Sequence, residues 1–344
     1  MNHRRFGRSI LMAGLAMSVI GLTATTALAQ SKPKPKVQTV RLLQASGADF
    51  TDADVYQAIH ILKAEGVKVV LSQINDPATA LRAIIAGQGD VYMDAPDTVA
   101  LAVQGGATNV RYIGSMYRTS AYDILALPNF TLSNLSGATL AIASPGSAGQ
   151  VAAVAALTKL GVDVSKIQQV TVGGTSARVT AILAGQVDLA PALAPSAIPA
   201  VATGKVKILV NTGQVLGAFL QQGLIANTKF IKNKQLAQKV VTAFISAERW
   251  ASSNEAQYVA MANKNQLQGS LTASDEVEAW AQLKEANFWA TNGALCQPAI
   301  NATLNLDYSS GALTKSTMPA QNKWIDTEFV RAYLKAHHQS VTTC

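Results

Sequence analysis

The stretch Ala83-Ile84-Ile85-Ala86-Gly87-Gln88-Gly89-Asp90 recurs 98 positions later as Ala181-Ile182-Leu183-Ala184-Gly185-Gln186-Val187-Asp188. The likeness extends to the residues around it. Leu81, Ile84 and Ile85 form an i, i+3, i+4 apolar stripe, and Val179, Ile182 and Leu183 repeat it. Each stripe predicts an amphipathic helix closed by a glycine, at Gly87 or Gly185. A short apolar strand follows each, at 90–93 and 187–190. Solenoid repeats recur every 20–50 residues or so, well below this period. The repeat therefore predicts two similar α/β lobes in one chain.

The rest of the pattern fits that frame. Strands are predicted at 37–43, 67–71, 111–116, 122–126, 139–143, 168–172 and 206–210. Between them lie helix starts. Thr51-Asp52-Ala53-Asp54 carries a capping-box pattern ahead of Val55, Ile59 and Leu62. Asp76-Pro77 places a cap before a proline in the first turn, and Asp97 opens another helix. Strand–helix alternation argues for mostly parallel sheets with crossover helices. From Lys234 the chain turns mostly helical, with Leu236, Val240, Phe244 and Ala247 on one face and further helices expected near 254–264, 273–289 and 326–337.

Length and composition allow two substantial cores. The chain has 344 residues, 49% hydrophobic and only 14% charged, with a formal charge of +8. Much of the bias sits at the N-terminus. Arg4, Arg5 and Arg8 precede an apolar run over 10–22, and Ala27-Leu28-Ala29 is a small-x-small cleavage pattern. Residues 1–29 read as an export signal cleaved after Ala29; an uncleaved anchor helix is the alternative. Removing them takes away three arginines and no acid, so +8 becomes +5. Lys32, Lys34 and Lys36 then alternate with Pro33 and Pro35 in a leader over 30–36. No aromatic residues interleave with these lysines, so a nucleic-acid partner is not expected. An exported chain can form disulfides. Cys296 and Cys344 are the only pair, with two separate thiols as the alternative. No spacing suits a metal site, and no cofactor motif occurs.

Catalytic signals are poor. The exported chain would keep only His60, His337 and His338, and Gly174-Thr175-Ser176-Ala177-Arg178 breaks the G-x-S-x-G pattern at its last position. Binding signals are better. Ser144-Pro145-Gly146-Ser147 and Gly173-Gly174-Thr175-Ser176 each lead from a strand end into a helix start. Unpaired N–H groups and hydroxyls at such a turn suit an anion, and strand carboxyl ends are where open sheets bind ligands. Ordinary N-capping is the alternative. The candidate ligand-binding residues are Ser144, Gly146, Ser147, Gly174, Thr175 and Ser176, with Arg178 as a further cation unless it is simply solvated. The other lobe offers two loops, 44–50 and 94–97, and from them Ser46, Phe50, Asp94 and Ala95. Phe50 either packs on a ligand or is an ordinary exposed loop aromatic; Asp94 either accepts from an amine or caps a helix.

Three segments carry a resemblance to a known family: Ala143-Ser144-Pro145-Gly146-Ser147, Gly173-Gly174-Thr175-Ser176-Ala177-Arg178 and Ala184-Gly185-Gln186-Val187-Asp188. With the return segment 226–251, they make the exported chain resemble the periplasmic solute-binding proteins of ABC importers, of the nitrate/sulfonate/taurine and thiamine-pyrimidine-precursor type. The resemblance implies an α/β, two-lobed periplasmic binding protein fold of type II, with a mixed or parallel sheet in each lobe and a helical C-terminal extension. It implies lobe one at 37–125 plus 218–344 and lobe two at 126–217, with hinges at 122–126 and 211–217. It implies a monomer that closes over a small-molecule solute and docks on an inner-membrane permease. A pyrimidine-synthesising enzyme also belongs to this group, but its cysteine-rich motif and histidine are absent here. Two further readings remain: a sensory module partnering a receptor, and a secreted α/β enzyme. The Ala- and Pro-rich loops 94–96 and 190–194 suggest a partly apolar pocket for an organic or aromatic acid.

Overall fold

The computed structural model describes residues 37–44, 48–74 and 76–340. The expected export signal and leader (1–36), Ser46 and Cys344 lie outside the described residues.

Two five-stranded mixed sheets form the frame. The first is built from β1 (Gln38–Gln44), α1 (Ala53–Ala64), β2 (Val67–Gln73), α2 (Pro77–Ile85), β3 (Val91–Asp94), α3 (Pro96–Gln104) and β4 (Val110–Thr119). The chain then crosses to the second sheet with β5 (Tyr122–Ala126), β6 (Thr139–Ile142), α4 (Ala148–Lys159), β7 (Gln168–Thr171), α5 (Thr175–Leu183), β8 (Leu189–Leu193), α6 (Ala194–Ala202), β9 (Lys207–Asn211) and α7 (Thr212–Leu216). It returns through β10 (Ala218–Asn227) and ends in α8 (Thr228–Ile231), α9 (Lys234–Ala251), α10 (Glu255–Lys264), α11 (Ala273–Glu285), α12 (Gln297–Ser309) and α13 (Glu328–Ala336). The strand orders are β2-β1-β3-β10-β4 and β7-β6-β8-β5-β9. In each sheet the βαβ strands run parallel, and the strand after a crossover enters antiparallel: β10 against β3, β5 against β8. No described helix is long and apolar enough to cross a membrane.

The sequence repeat is a repeat in space. Gly87 and Gly185 take φ of +75° and +70°, which closes each helix in the left-handed region that glycine tolerates. Gln88 N–H and Gln186 N–H then reach back to Ala83 O and Ala181 O. The terminal aspartates do the same work in both copies. Asp90 accepts from the Arg41 N–H at 2.8 Å, and Asp188 from the Thr139 N–H at 2.8 Å. Each carboxylate so pins the neighbouring parallel strand, β1 or β6.

The first crossover differs from expectation. All of β5 belongs to the second sheet, where Tyr122 pairs with Leu193 and Ile124 with Val210. The chain therefore passes between sheets at Ser120–Ala121, ahead of the expected hinge at 122–126. Five residues, the last four all buried, cannot reveal which of two sheets will pair with them; long-range partners decide that. The return passes at Gly217, whose φ is +73°. The two crossovers are laced together. Ser120 Oγ and Thr212 Oγ1 stand 2.6 Å apart, Thr212 Oγ1 donates to Tyr122 O at 2.6 Å, and Ala121 N–H donates to Gln221 Oε1 at 2.8 Å.

Packing follows the apolar pattern. α4 is apolar all round, and Ala152, Ala153, Ala155 and Ala156 are all buried, as expected for a helix covered on most faces. α9 buries Leu236, Val240, Phe244 and Ala247, the face read from sequence. α6 and α12 were not expected. Pro195 and Pro199 disguise α6; Pro195 sits in its first turn, where a missing N–H costs little. α12 packs on β10 and reaches α4. Its Thr303 Oγ1 takes the Leu220 N–H at 2.9 Å, and Leu306 packs against the second lobe's core. The C-terminal extension is thus wedged at the junction of the lobes.

Candidate functional site

The carboxyl edges of the two sheets meet. From the first come Gln44, the turn Asp49–Asp52, Asp94 and Ala95. From the second come Tyr122, the turn Ser144–Ser147, Gly173–Thr175 and Leu193. Contact across the gap is direct. A Cβ on Gly146 would stand 3.8 Å from Leu101 Cδ1 of α3. Leu193 and Ile198 pack against the first lobe's core.

The second-lobe wall centres on Arg178, which is only 3% exposed. Its side chain curls back under the start of α5. Nε donates to Pro191 O at 2.9 Å, Nη1 to Gly173 O at 2.8 Å and Nη2 to Thr175 Oγ1 at 3.1 Å. Pro191 lies in β8 where the ladder to β6 has stopped, since these strands pair only at Leu140 and Leu189. All three acceptors are neutral, and no carboxylate among the described residues offsets the charge. Burial lowers the Arg178 pKa, and the adjacent Tyr122 hydroxyl partly opposes that. A buried cation without an anion is costly, so this wall is poised for a negative group. Two helix starts add to it. Ser147 is the N-cap of α4 and Gly174 that of α5, neither with a side-chain cap bond. Ser147 Oγ is buried with no partner. Uncapped helix starts leave N–H groups and the positive dipole end available.

Gly149 makes this convergence possible. A Cβ there would stand 3.3 Å from the Tyr122 ring and 3.5 Å from Arg178 Nη2. The ring contact is tight, so a side chain here presses on Tyr122, while the distance to the guanidinium is ordinary contact that only a residue larger than alanine would close.

The first-lobe wall is acidic. Asp49 and Asp52 cap each other reciprocally around Phe50–Asp52. Asp94 Oδ2 accepts from Tyr92 OH at 2.5 Å and Thr98 Oγ1 at 3.0 Å, while Oδ1 accepts from Ala95 N–H at 2.8 Å. Burial raises the pKa of Asp94, countered by those three bonds. Burial, and then the charge of Asp94, push Asp97 up to about 7. The Tyr122 hydroxyl is raised by burial; Arg178 pulls it down, and Asp49 and Asp94 push it up. Tyr122 therefore sits between the cationic wall and the acidic one.

The expected residues divide accordingly. Ser144, Gly146, Ser147, Gly174 and Thr175 meet at the second-lobe wall, and Asp94 and Ala95 at the first. Ala95 is nearly buried, at 3% exposure, and Ser176 is exposed, one position past the Arg178 cradle. Phe50 is a correction. It is fully buried in the lobe-one core, edge-on to Tyr258 at 5.3 Å, because the Asp49–Asp52 turn folds its ring inward. Sequence reasoning left Arg178 as an undecided cation and missed Tyr122 and Gly149. The available signal was Arg178 itself, three residues after Thr175 and one turn into a helix after Gly-Gly, where its side chain reaches back to the helix start.

Among described residues, no His/Cys/Asp/Glu group could hold a metal ion. Cys296 is buried and is not a free thiol.

The family model described as NMT1/THI5 like matches residues 62–257, more than half of the chain. No curated protein matches the sequence. Solved structures do match in fold. A protein of Bordetella bronchiseptica RB50 shares 18% identity over 88% of this chain and 99% of its own, with a TM-score of 0.72. The periplasmic nitrate-binding protein NrtA from Synechocystis PCC 6803 shares 12% identity over 88% of this chain and 89% of its own, with a TM-score of 0.71. The alkanesulfonate-binding protein SsuA from Xanthomonas axonopodis pv. citri, bound to MOPS, shares 18% identity over 84% of this chain and 98% of its own, with a TM-score of 0.68.

Proposed function

The chain belongs to the NMT1/THI5-like family, and from that premise we propose that it is the extracytoplasmic solute-binding component of an ABC importer. It captures a small organic anion between its lobes and delivers it to a membrane permease. The carrying observation is Arg178: a buried guanidinium held by neutral oxygens alone, at the convergence of two uncapped helix starts. The binding reading, rather than catalysis, rests on the same wall, which offers donors and a charge but no nucleophile–base pair.

The mechanism is physical. A ligand that touches both walls does so only when the lobes are together, so its binding free energy favours the closed form. Ser120–Ala121 and Gly217 are the hinge points. Ala95, Pro96 and Leu193 make the rim of the pocket partly apolar, which favours an organic acid over nitrate. Export by the 1–29 segment into the periplasm, action as a monomer and a bridge from Cys296 to Cys344 complete the proposal; the bridge would tie the C-terminus to the start of α12.

Isothermal titration with butanesulfonate, benzoate, taurine and nitrate tests the reading, with Arg178→Gln alongside. The expected outcome is saturable binding of an organic acid, lost or weakened at least 100-fold in the variant. Nitrate binding tighter than every organic acid would overturn the ligand class. Organic-acid binding that survives Arg178→Gln unchanged would overturn the site.

A further inference from the structure

A cavity of about 760 Å³ opens on lobe one, and none of the described residues lining it belongs to the inter-lobe cleft. Arg118, Arg249, Ser252, Ser253, Thr291 and Asn292 line it. Arg118 stands at the end of β4, just before the first crossover, and Arg249 in the last turn of α9.

The two arginines are held differently. Arg249 is fixed: Nε donates to Thr291 O at 2.6 Å, Nη2 to Gln339 Oε1, and the guanidinium lies 5.1 Å from the Tyr333 ring centroid. Arg118 is anchored only through its backbone, whose N–H donates to Phe288 O at 2.8 Å. Its guanidinium makes no hydrogen bond or ion pair with any described residue. Burial lowers its pKa, and no neighbouring acid opposes that. Among the described residues that line it, none carries a carboxylate.

Two guanidiniums facing one half-buried space repel each other and have lost part of their hydration. The hydroxyls of Ser252 and Ser253 and the Asn292 amide surround them with neutral polar groups. The volume lies within the range of small-ligand sites, about 300–1,000 Å³. A planar fork that stands without an acid is suited to paired oxygens of a carboxylate or phosphate.

We propose that this cavity is a second binding site, separate from the cleft, for a small multiply charged oxyanion. Arg249 is its pre-set anchor, and Arg118 is the mobile clamp that turns onto the anion. Occupancy would tie the end of β4 to α9 and to the chain beyond α13, on the lobe-one side of the first crossover.

The test is titration of the full chain with sodium phosphate, sulfate and citrate at constant ionic strength, followed by calorimetry and thermal shift. Wild type, Arg118→Gln and Arg118→Lys are compared. Arg118 has no side-chain partner to lose, so Arg118→Gln is expected to melt with wild type in the absence of these anions. Support is saturable binding of at least one anion, weakened tenfold or more in Arg118→Gln and partly restored in Arg118→Lys. Stronger citrate than phosphate binding would mark an organic polyacid as the ligand, and the reverse a phosphate. Equal binding by wild type and Arg118→Gln overturns the proposal, because the anion then sits elsewhere. No binding by wild type at 10 mM or so overturns it as well.

Discussion

Gly213 is where the two inter-lobe crossovers touch. It lies in the first turn of α7, and a Cβ placed there would overlap the carbonyl oxygen of Ser120 on the other crossover. Behind that oxygen the Ser120 carbonyl carbon stands at 3.6 Å from the same point. The obstacle is backbone, so no rotamer can relieve it. In open space, Gly→Ala within a helix stabilises by about 1 kcal/mol, since alanine loses less entropy on folding. Here overpacking costs about 1–3 kcal/mol. Separating the crossovers also strains the Ser120–Thr212 and Thr212–Tyr122 bonds, each contributing about 1 kcal/mol. Gly213→Ala is therefore expected to destabilise by about 2 kcal/mol net. The assay is urea denaturation followed by tryptophan fluorescence. Gly174→Ala is the comparison: its Cβ meets nothing within 4 Å, so its loss should stay near the roughly 1 kcal/mol that alanine costs at the N-cap of α5. A Gly213→Ala midpoint equal to or above wild type would refute the reasoning, because the helix-propensity gain would then be acting unopposed.

Other consequences can be checked directly. Asp90→Ala and Asp188→Ala each remove the carboxylate that pins β1 or β6, and each should cost about 1–3 kcal/mol in urea denaturation; equal loss in both copies is expected only if the repeat is functionally equivalent in folding. Gly149→Ala should fold but weaken organic-acid binding severalfold in calorimetry, since its methyl group presses on the Tyr122 ring beside Arg178. Asp54 and Glu248 face each other in the lobe-one core; Asp54 Oδ2 and both Glu248 carboxyl oxygens lack a hydrogen-bond donor from any other described residue. Burial raises Asp54 to about 6 and Glu248 well above its ordinary value. The folded state thus keeps a proton that the unfolded chain releases near pH 4, so stability falls as pH rises from about 4 through 6. For Asp54 the loss is up to about 3 kcal/mol. In Glu248→Gln the amide can donate to Asp54, and the fall between pH 5 and 7 should flatten; an unchanged slope would show that the pair does not titrate together.

What could be read from the sequence was set by short-range physics. The repeat, its glycine closures, the Asp76 cap and the apolar face of α9 depend on hydrogen bonds and periodicities within a few residues. Two α/β lobes followed from them. The second-lobe turns were legible too, because a strand end, a glycine and a hydroxyl before a helix are adjacent in the chain. What the tertiary structure alone decided was which side chains lose water, and which strands share a sheet. Phe50 looked like a loop aromatic until Tyr258, more than 200 residues on, supplied the core that encloses it. β5 joined the second sheet because β8 and β9 pair with it there. Arg178 was an ordinary helical arginine in the sequence. It became the centre of the candidate site when Pro191 and Gly173 offered carbonyls, Tyr122 stood beside it, and no carboxylate among the described residues offset its charge. Local pattern determines where helices and strands begin and end; burial of a charge depends on segments distant in sequence and appears only when the lobes are assembled.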